Sequence, residues 1–429
     1  MTPLPAARAA ALSLVALATL SPLAICQDPG SAEPAAGPAL SLPPSFCDRW
    51  KKMGTLYKDA ENPYVQEFKL FGRLHYQYGI LDGHTAGTEF NYHADQIRRF
   101  RTGVGGKFFD HFDLYAEAEI GNDKRPRGAD FDVRFQHMWQ LKVHYDLKKA
   151  FGIDDFDMLK LGVGSREINM SYEWVTSSKR IKTVERSAIA NKIWAYNTEF
   201  ANPTGVWTEV GLDPVEWTLG VFSTTQDDWI APFDDGELLY SKIKWDLHEG
   251  ADSDTDLRVA GFYQDVDQGD EALAGGLNWA TAVSMQHKTG PWELHAEVIF
   301  GDNGNTTASG GAKRDERQGD FYGFVLMPSY WLLEDSLELA FQVQYQGSVE
   351  REGIRLNSRY VRRAGVRDNI SSIANGRGDE QWTFYAGVNK LLCGHQQKVM
   401  LGVEYDTLSS EGDEIYRGWT AFVAYRTYW

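Results

Sequence analysis

Met158-Leu-Lys-Leu-Gly-Val-Gly164 runs directly into Ser165-Arg-Glu-Ile-Asn-Met-Ser-Tyr-Glu-Trp-Val-Thr-Ser-Ser-Lys-Arg-Ile-Lys-Thr-Val-Glu-Arg-Ser187. The first seven residues read as a strand: Leu159, Leu161 and Val163 fall on one side, Lys160, Gly162 and Gly164 on the other. About forty residues then pass before the next alternating run, a length that compact domains rarely tolerate in a connection without a function for it. The connection carries Arg166, Lys179, Arg180, Lys182, Arg186 and Lys192 among aromatic and small hydroxyl side chains.

Two-residue alternation recurs on both sides of this stretch. Phe68, Leu70, Leu74 and Tyr76 alternate with Lys69, Arg73, His75 and Gln77. Phe112, Leu114, Ala116, Ala118 and Ile120 alternate with Asp113, Tyr115, Glu117 and Glu119. Val133, Phe135, Trp139, Leu141, Val143 and Tyr145 alternate with Arg134, Gln136, Gln140, Lys142 and His144. Later, Trp292, Leu294, Ala296, Val298 and Phe300 oppose Glu293, His295 and Glu297, and Leu337, Leu339, Phe341, Val343 and Tyr345 oppose Glu338, Gln342, Gln344 and Gln346.

A soluble sandwich also alternates, so the connections decide. Short ones fall at Asp110-His111, Asp146–Asp157, Asp213-Pro214, His248–Thr255, Lys288–Pro291, Leu332–Asp335 and Leu392–Gln396. Long ones fall between them, at Asp82–Asp95, Gly121–Asp132, Ser165–Pro203, Thr224–Gly236, Asp265–Ala274, Gly301–Gly319, Gly347–Asp379 and Thr407–Glu414. This rhythm predicts sixteen antiparallel strands in an up-and-down transmembrane β-barrel, with the third long loop folded inward as a constriction. In lipid every backbone N–H and C=O needs an internal partner, which strands supply only when the sheet closes. The chain ends in an alternating strand, Gly418–Trp429, with a terminal aromatic, and this is similar to the signal that barrel-insertion machinery reads.

The 429 residues carry a net charge of −17, which argues against general nucleic-acid binding. Aromatic residues make up 13%, a proportion suited to the girdles of a barrel. Arg8, the apolar run Ala9–Ile25 and Ala24-Ile-Cys26 read as a signal peptide over 1–26. Leu23-Ala-Ile-Cys26 also invites a lipoprotein reading, although Ile25 is bulky for one. Residues 27–66 read as a flexible leader, rich in Pro, Ala and Gly over Gln27–Ser45 and then a short polar segment with a helical turn or two over Phe46–Asn62, and 67–429 as the barrel. Nothing after Cys26 is apolar for long enough to be a membrane helix. Cys47 and Cys393 either pair in an oxidising compartment or remain two separate thiols.

At Lys160–Gly164, Thr176-Ser-Ser-Lys179 and Val184-Glu-Arg-Ser187, and at Ile97-Arg-Arg-Phe-Arg-Thr-Gly-Val-Gly-Gly-Lys107, the chain resembles the phosphate-selective porin O and P family. The resemblance implies a trimeric outer-membrane channel for small hydrophilic solutes, with basic residues guiding anions. Gly164-Ser-Arg-Glu167 departs from the family's glycine-lysine-phenylalanine pattern, and Glu167, Glu173, Glu185 and Glu199 dilute the basic character of the third loop. Preference for anions is therefore expected, rather than a dedicated phosphate trap.

With the apolar set outward, the alternation sends Lys69, Arg73, Arg99, Arg101, Lys107, Arg134, Lys142, Lys160, Lys242 and Lys244 into the lumen, along with Asp113, Glu117, Glu119, Glu293, Glu297 and Glu338. Arg99, Arg101 and Lys107 read as one basic wall, with Arg166, Lys179, Arg180, Lys182 and Arg186 of the third loop facing or flanking it. Arg351, Arg355, Arg359, Arg362, Arg363 and Arg367 repeat near helical period. That stripe reads equally as an anion-steering face, a solvated face, or a contact for anionic lipid or a neighbouring subunit. No nucleophile elbow, P-loop or paired-cysteine spacing stands out, so no enzyme activity, cofactor or metal is expected. His137 reads as a packing residue, and Asp302-Asn-Gly-Asn-Thr306 lacks the closing Glu of a calcium loop. The rival reading is a barrel enzyme or adhesin acting through its long loops.

Overall fold

A computed structural model describes residues 45–429 apart from 86, 122–132, 197–201, 227–229, 251–252, 267–268 and 274. The expected signal peptide, and the leader up to residue 44, lie outside the described residues. So does most of the expected loop Gly121–Asp132.

The barrel strands are β1 (Val65–Thr85), β2 (Thr88–Phe108), β3 (Phe112–Gly121), β4 (Val133–Asp146), β5 (Met158–Ser165), β6 (Thr204–Leu212), β7 (Val215–Ser223) and β8 (Glu237–Glu249). They continue as β9 (Ser253–Asp265), β10 (Trp279–Thr289), β11 (Trp292–Asp302), β12 (Asp320–Leu333), β13 (Leu337–Ser348), β14 (Glu380–Leu391), β15 (Gln397–Ser410) and β16 (Asp413–Tyr428). Each pairs antiparallel with its neighbour in sequence, and β16 returns to β1 from Arg417↔His84 to Tyr428↔Arg73. The predicted sixteen-stranded closed barrel is therefore the fold, and among the described residues the sheet closes without a free edge strand.

Burial separates the two faces. On β16, Trp419 and Val423 are more than half exposed, whereas Thr420, Phe422 and Arg426 between and beyond them are buried. Ile80, Phe135, Val163, Trp292, Phe300 and Phe341 are likewise exposed around the wall. So large a belt of bare apolar side chains would aggregate in water and is satisfied by lipid.

Several bulges interrupt the ladders among the described residues, and two of them bear on the expected inward and outward positions. Between β1 and β2, His75 pairs with Arg99 and Tyr76 with Ile97, so Arg98 is the extra residue. Between β3 and β4, Glu117 pairs with Gln140 and Ala118 with Met138, so Trp139 is extra. Trp139 was expected on the lipid face, yet it is buried. The first and last expected long loops are corrected too: β1 and β2 run on to Thr85 and Thr88, and β15 and β16 to Ser410 and Asp413. Both are tight hairpins on long strands. Their outward positions, such as Asp82, Glu89 and Asn91, are exposed and polar, so the pattern there imitates a loop.

The helical turn or two expected within Phe46–Asn62 is present. Helix α1 (Phe46–Lys52) is capped by Ser45 and followed by a short strand, Thr55–Lys58, paired with β1, and a second short helix, α2 (Leu147–Phe151), lies in the β4–β5 turn. Cys47 and Cys393 form a disulfide that fastens α1 to the β14–β15 turn, and Trp50 Nε1 donates to Tyr428 O at 2.7 Å.

Candidate functional site

The β5–β6 connection contains the short helices α3 (Tyr172–Val175) and α4 (Ala188–Lys192), each N-capped by a serine: Ser171 accepts from Trp174 N and Ser187 from Ala190 N. Its bonds reach the buried faces of strands around the barrel. Tyr172 N donates to Glu297 of β11 at 2.7 Å, and Ala188 N to Gln344 of β13 at 2.7 Å. Lys398 of β15 donates to Ile181 O at 2.6 Å, and Arg426 of β16 to Ser178 O at 3.2 Å and to Val184 O. Gln77 of β1 and Arg98 of β2 both donate to Glu185, at 3.0 and 2.8 Å. Ile168, Val184, Ile189 and Ile193 are buried with it. Several polar strand residues that face away from lipid thus find partners in this connection, which is why buried charges are tolerated there.

The predicted site residues are placed as follows. Arg73 pairs with Glu117 at 2.7 Å and donates to Ser178 Oγ at 2.9 Å. Arg99 is buried with Nη1 3.3 Å from His75 Nδ1. Arg101 pairs with Glu119 at 2.5 Å and stacks 3.2 Å over the Trp139 ring centroid. Lys69 pairs with Glu67 at 3.4 Å, and Lys160 with Asp113 at 3.5 Å. Arg166 pairs with Glu209 of β6 at 2.8 Å. Lys182 reaches Glu293 at 3.0 Å, Ser329 Oγ at 2.8 Å and also Glu338. Arg186 stacks 4.1 Å over Trp174 and donates to Glu173 O at 2.7 Å. Lys179 is half-buried and Arg180 exposed.

The single basic wall is accordingly corrected. Arg99 and Arg101 stay together, but Lys107 is exposed near the end of β2, on the order of 20 Å along the strand from Arg101. Arg134, expected in the lumen, is exposed. Arg166 and Lys182 are taken up by carboxylates on β6, β11 and β13 rather than facing Arg99.

The charge gathers instead in a cavity of about 1100 Å³. It is lined by Trp174, Lys192, Trp194 and Tyr196 of the third connection and by Arg98, Arg99 and Arg101 of β2. Lys313, Arg317, Arg355, Arg359, Arg362, Arg363 and Arg377 line it from the β11–β12 and β13–β14 connections. Asp95, Glu119 and Glu185 are its acidic members, far fewer than the basic ones. Several of these cations rest on backbone carbonyls and amides: Lys192 on Asn303 Oδ1 (2.6 Å) and Gly353 O (2.9 Å), Lys313 on Gly276 O (2.9 Å), Arg355 on Asn375 O (3.2 Å) and Arg377 on Glu352 O (3.1 Å). Such dipoles hold a cation in place without cancelling its charge. Burial first, and then the neighbouring Lys313 and Arg377, push the Lys192 ammonium down to about 7; burial and Arg377 push Lys313 to about 8.

Helix α5 (Arg359–Asp368) carries the arginine stripe. Ser358 caps it, and Tyr360, Val361 and Ala364 form its buried face. Tyr360 packs edge-on against Phe422 of β16, at 5.6 Å, and over Gly79 of β1, where any Cβ would meet the ring at 2.5 Å. That docking turns Arg359, Arg362 and Arg363 toward the cavity, while Arg367 turns away to Asp368 and Asn91 O. Of the expected stripe, the steering reading therefore fits Arg355, Arg359, Arg362 and Arg363; Arg351 pairs with Glu316 at 2.9 Å. Sequence reasoning missed Arg98, Lys313, Arg317 and Arg377. The Arg98-Arg99 doublet, which breaks strict alternation, was the available signal for the first.

Residues 68–236 match the family model described as phosphate-selective porin O and P. No curated protein sequence matches the chain. Among solved structures, the chain is similar to the anion-selective porin from Comamonas acidovorans (12% identity, 84% of this chain and 99% of that one, TM-score 0.53). It is similar to Pseudomonas putida OprB (11% identity, 84% and 94%, TM-score 0.55) and to the outer membrane channel DcaP of Acinetobacter baumannii (12%, 87% and 99%, TM-score 0.51). At these identities the likeness is one of fold. Strands β1–β7 carry the signature of the phosphate-selective porin O and P family, and the chain is an outer-membrane channel of the porin fold.

Proposed function

We propose that the channel passes small hydrophilic solutes passively and prefers anions, phosphate or similar among them, with the third connection lying across the lumen as its constriction. One observation carries this reading: the cavity beside that connection is lined by Lys192, Lys313, Arg355 and Arg377, held by carbonyls rather than neutralised by carboxylates. Like charges in a narrow, partly desolvated passage raise the local potential and concentrate counter-ions, most strongly at low salt. The planar donor fork of Arg suits oxyanions. The bonds from the connection to β1, β2, β11, β13, β15 and β16 support its crossing of the lumen. The family resemblance supports a homotrimer exported by the 1–26 signal peptide and inserted by the barrel machinery through its terminal strand.

Ion substitution in a planar bilayer tests the preference. Replacing potassium by lithium at constant chloride should leave conductance nearly unchanged, and replacing chloride by acetate should lower it. The reverse ranking would refute the proposal.

A further inference from the structure

The cavity has a second property that bare attraction of ions does not use. Trp174, Trp194 and Tyr196 form a continuous stack along its loop-three wall, with centroids 4.6 Å apart at 18° and then 4.4 Å apart at 30°. Trp139 joins at 5.5 Å from Trp194. Tyr196 lies within electrostatic reach of Arg355 and Arg362, so the aromatic row abuts the arginine side. Two buried donors lining this same cavity, Trp194 Nε1 and Arg362 Nε, have no acceptor among the described residues. A buried donor without a partner costs free energy, and a ligand that supplies the acceptor recovers it. An inorganic anion would satisfy the donors but gain nothing from a row of rings. A hydrophobic solute would gain from the rings and waste the arginines.

Resting on the anion-preferring reading above, we infer that the vestibule is a recognition site for carboxylates borne on a flat, unsaturated ring. The carboxylate accepts from Arg362 and from the indole N–H of Trp194. The ring of the solute packs by edge or face on the Trp174–Trp194–Tyr196 row, where π-systems gain beyond simple area burial. The aromatic wall then selects among anions that the basic wall admits without distinction.

The test compares two divalent anions of equal charge and similar carboxylate spacing: benzene-1,3-dicarboxylate and cis-cyclohexane-1,3-dicarboxylate. Each is titrated against the potassium chloride current of the full-length channel in a planar bilayer. The benzene compound should half-block the current at a concentration roughly two- to tenfold lower. Trp194→Leu should close that gap. Trp194→Phe should keep the gap, and Arg362→Gln should weaken block by both compounds. Equal block by the two dicarboxylates in the wild type, or a gap that survives Trp194→Leu, overturns the inference. The wild-type comparison decides alone if Trp194→Leu fails to assemble. An anion-selective potential with equal block sinks this inference only, whereas a cation-selective potential sinks the reading beneath it.

Discussion

Replacing Lys182 by Met removes one ammonium and changes little else in shape. Its Nζ lies 3.0 Å from Glu293 and 2.8 Å from Ser329 Oγ and also meets Glu338; the side chains of the lysine and the two glutamates are 10%, 11% and 3% exposed. With the lysine gone, two carboxylates from β11 and β13 face the same emptied position. Removing one partner of a buried pair typically costs about 3 kcal/mol or more, mainly through the charge left behind. The cost falls on the attachment of the loop, because the strand ladders are untouched. At about 1.4 kcal/mol per decade, 3 kcal/mol raises the detached population of this segment by on the order of a hundredfold. Tyr172 N on Glu297 and Arg426 on Val184 O still tether the flanking segments. Single-channel recording should therefore show increased open-channel noise and brief conductance excursions in Lys182→Met, with heat-modifiability close to wild type. Adding Glu293→Gln and Glu338→Gln should quiet the current again by removing the stranded charges. Wild-type noise in the single variant would refute the latch.

Replacing Arg355, Arg359 and Arg362 together by Gln should lower the anion-to-cation permeability ratio by on the order of threefold, more than Arg99→Gln with Arg101→Gln, because Glu119 already neutralises Arg101. Equal effects would place the selective charge on β2 instead. A lysine with a lowered pKa is charged below that value and neutral above it. Lys192 at about 7 and Lys313 at about 8 should therefore make anion selectivity fall as pH rises from about 6 to about 9, read as a drifting zero-current potential; a flat profile contradicts their role. Deleting Tyr428 and Trp429 removes the reciprocal Gly72–Trp429 backbone bonds, both 3.2 Å, and the acceptor of Trp50. Backbone groups opened to lipid cost several kcal/mol each, so outer-membrane fractions should lack the heat-modifiable barrel. Its normal presence there would count against closure as the reason.

Strand number and lipid-facing side were legible in the sequence, because a two-residue period imposed by lipid on one face and water on the other admits few exceptions. Trp292 to Phe300 and Leu337 to Tyr345 follow it throughout. The exceptions are where the reading failed. A bulge adds one residue and reverses the phase, which turned Trp139 inward against expectation and brought Arg98, to which the reading gave no place, to the cavity. At Asp82–Asp95 the strands continue to Thr85 and Thr88 with a polar outward face, so the stretch resembles a loop. The site was less legible, since a charge on the lumen face says nothing about its partner. Arg166 and Lys182 look like members of a basic wall until Glu209, Glu293 and Glu338 are seen beside them. The arginines of α5 carry the opposite lesson: their helical period was visible, but Gly79 and Tyr360, which aim them, belong to elements far apart in the chain.

The zero-current potential of the wild-type channel under a tenfold potassium chloride gradient tests the central claim most directly. An anion-preferring vestibule predicts the sign set by chloride, growing larger as both salt concentrations are lowered together and screening weakens. A potential of the potassium sign, or one indifferent to ionic strength, would contradict it.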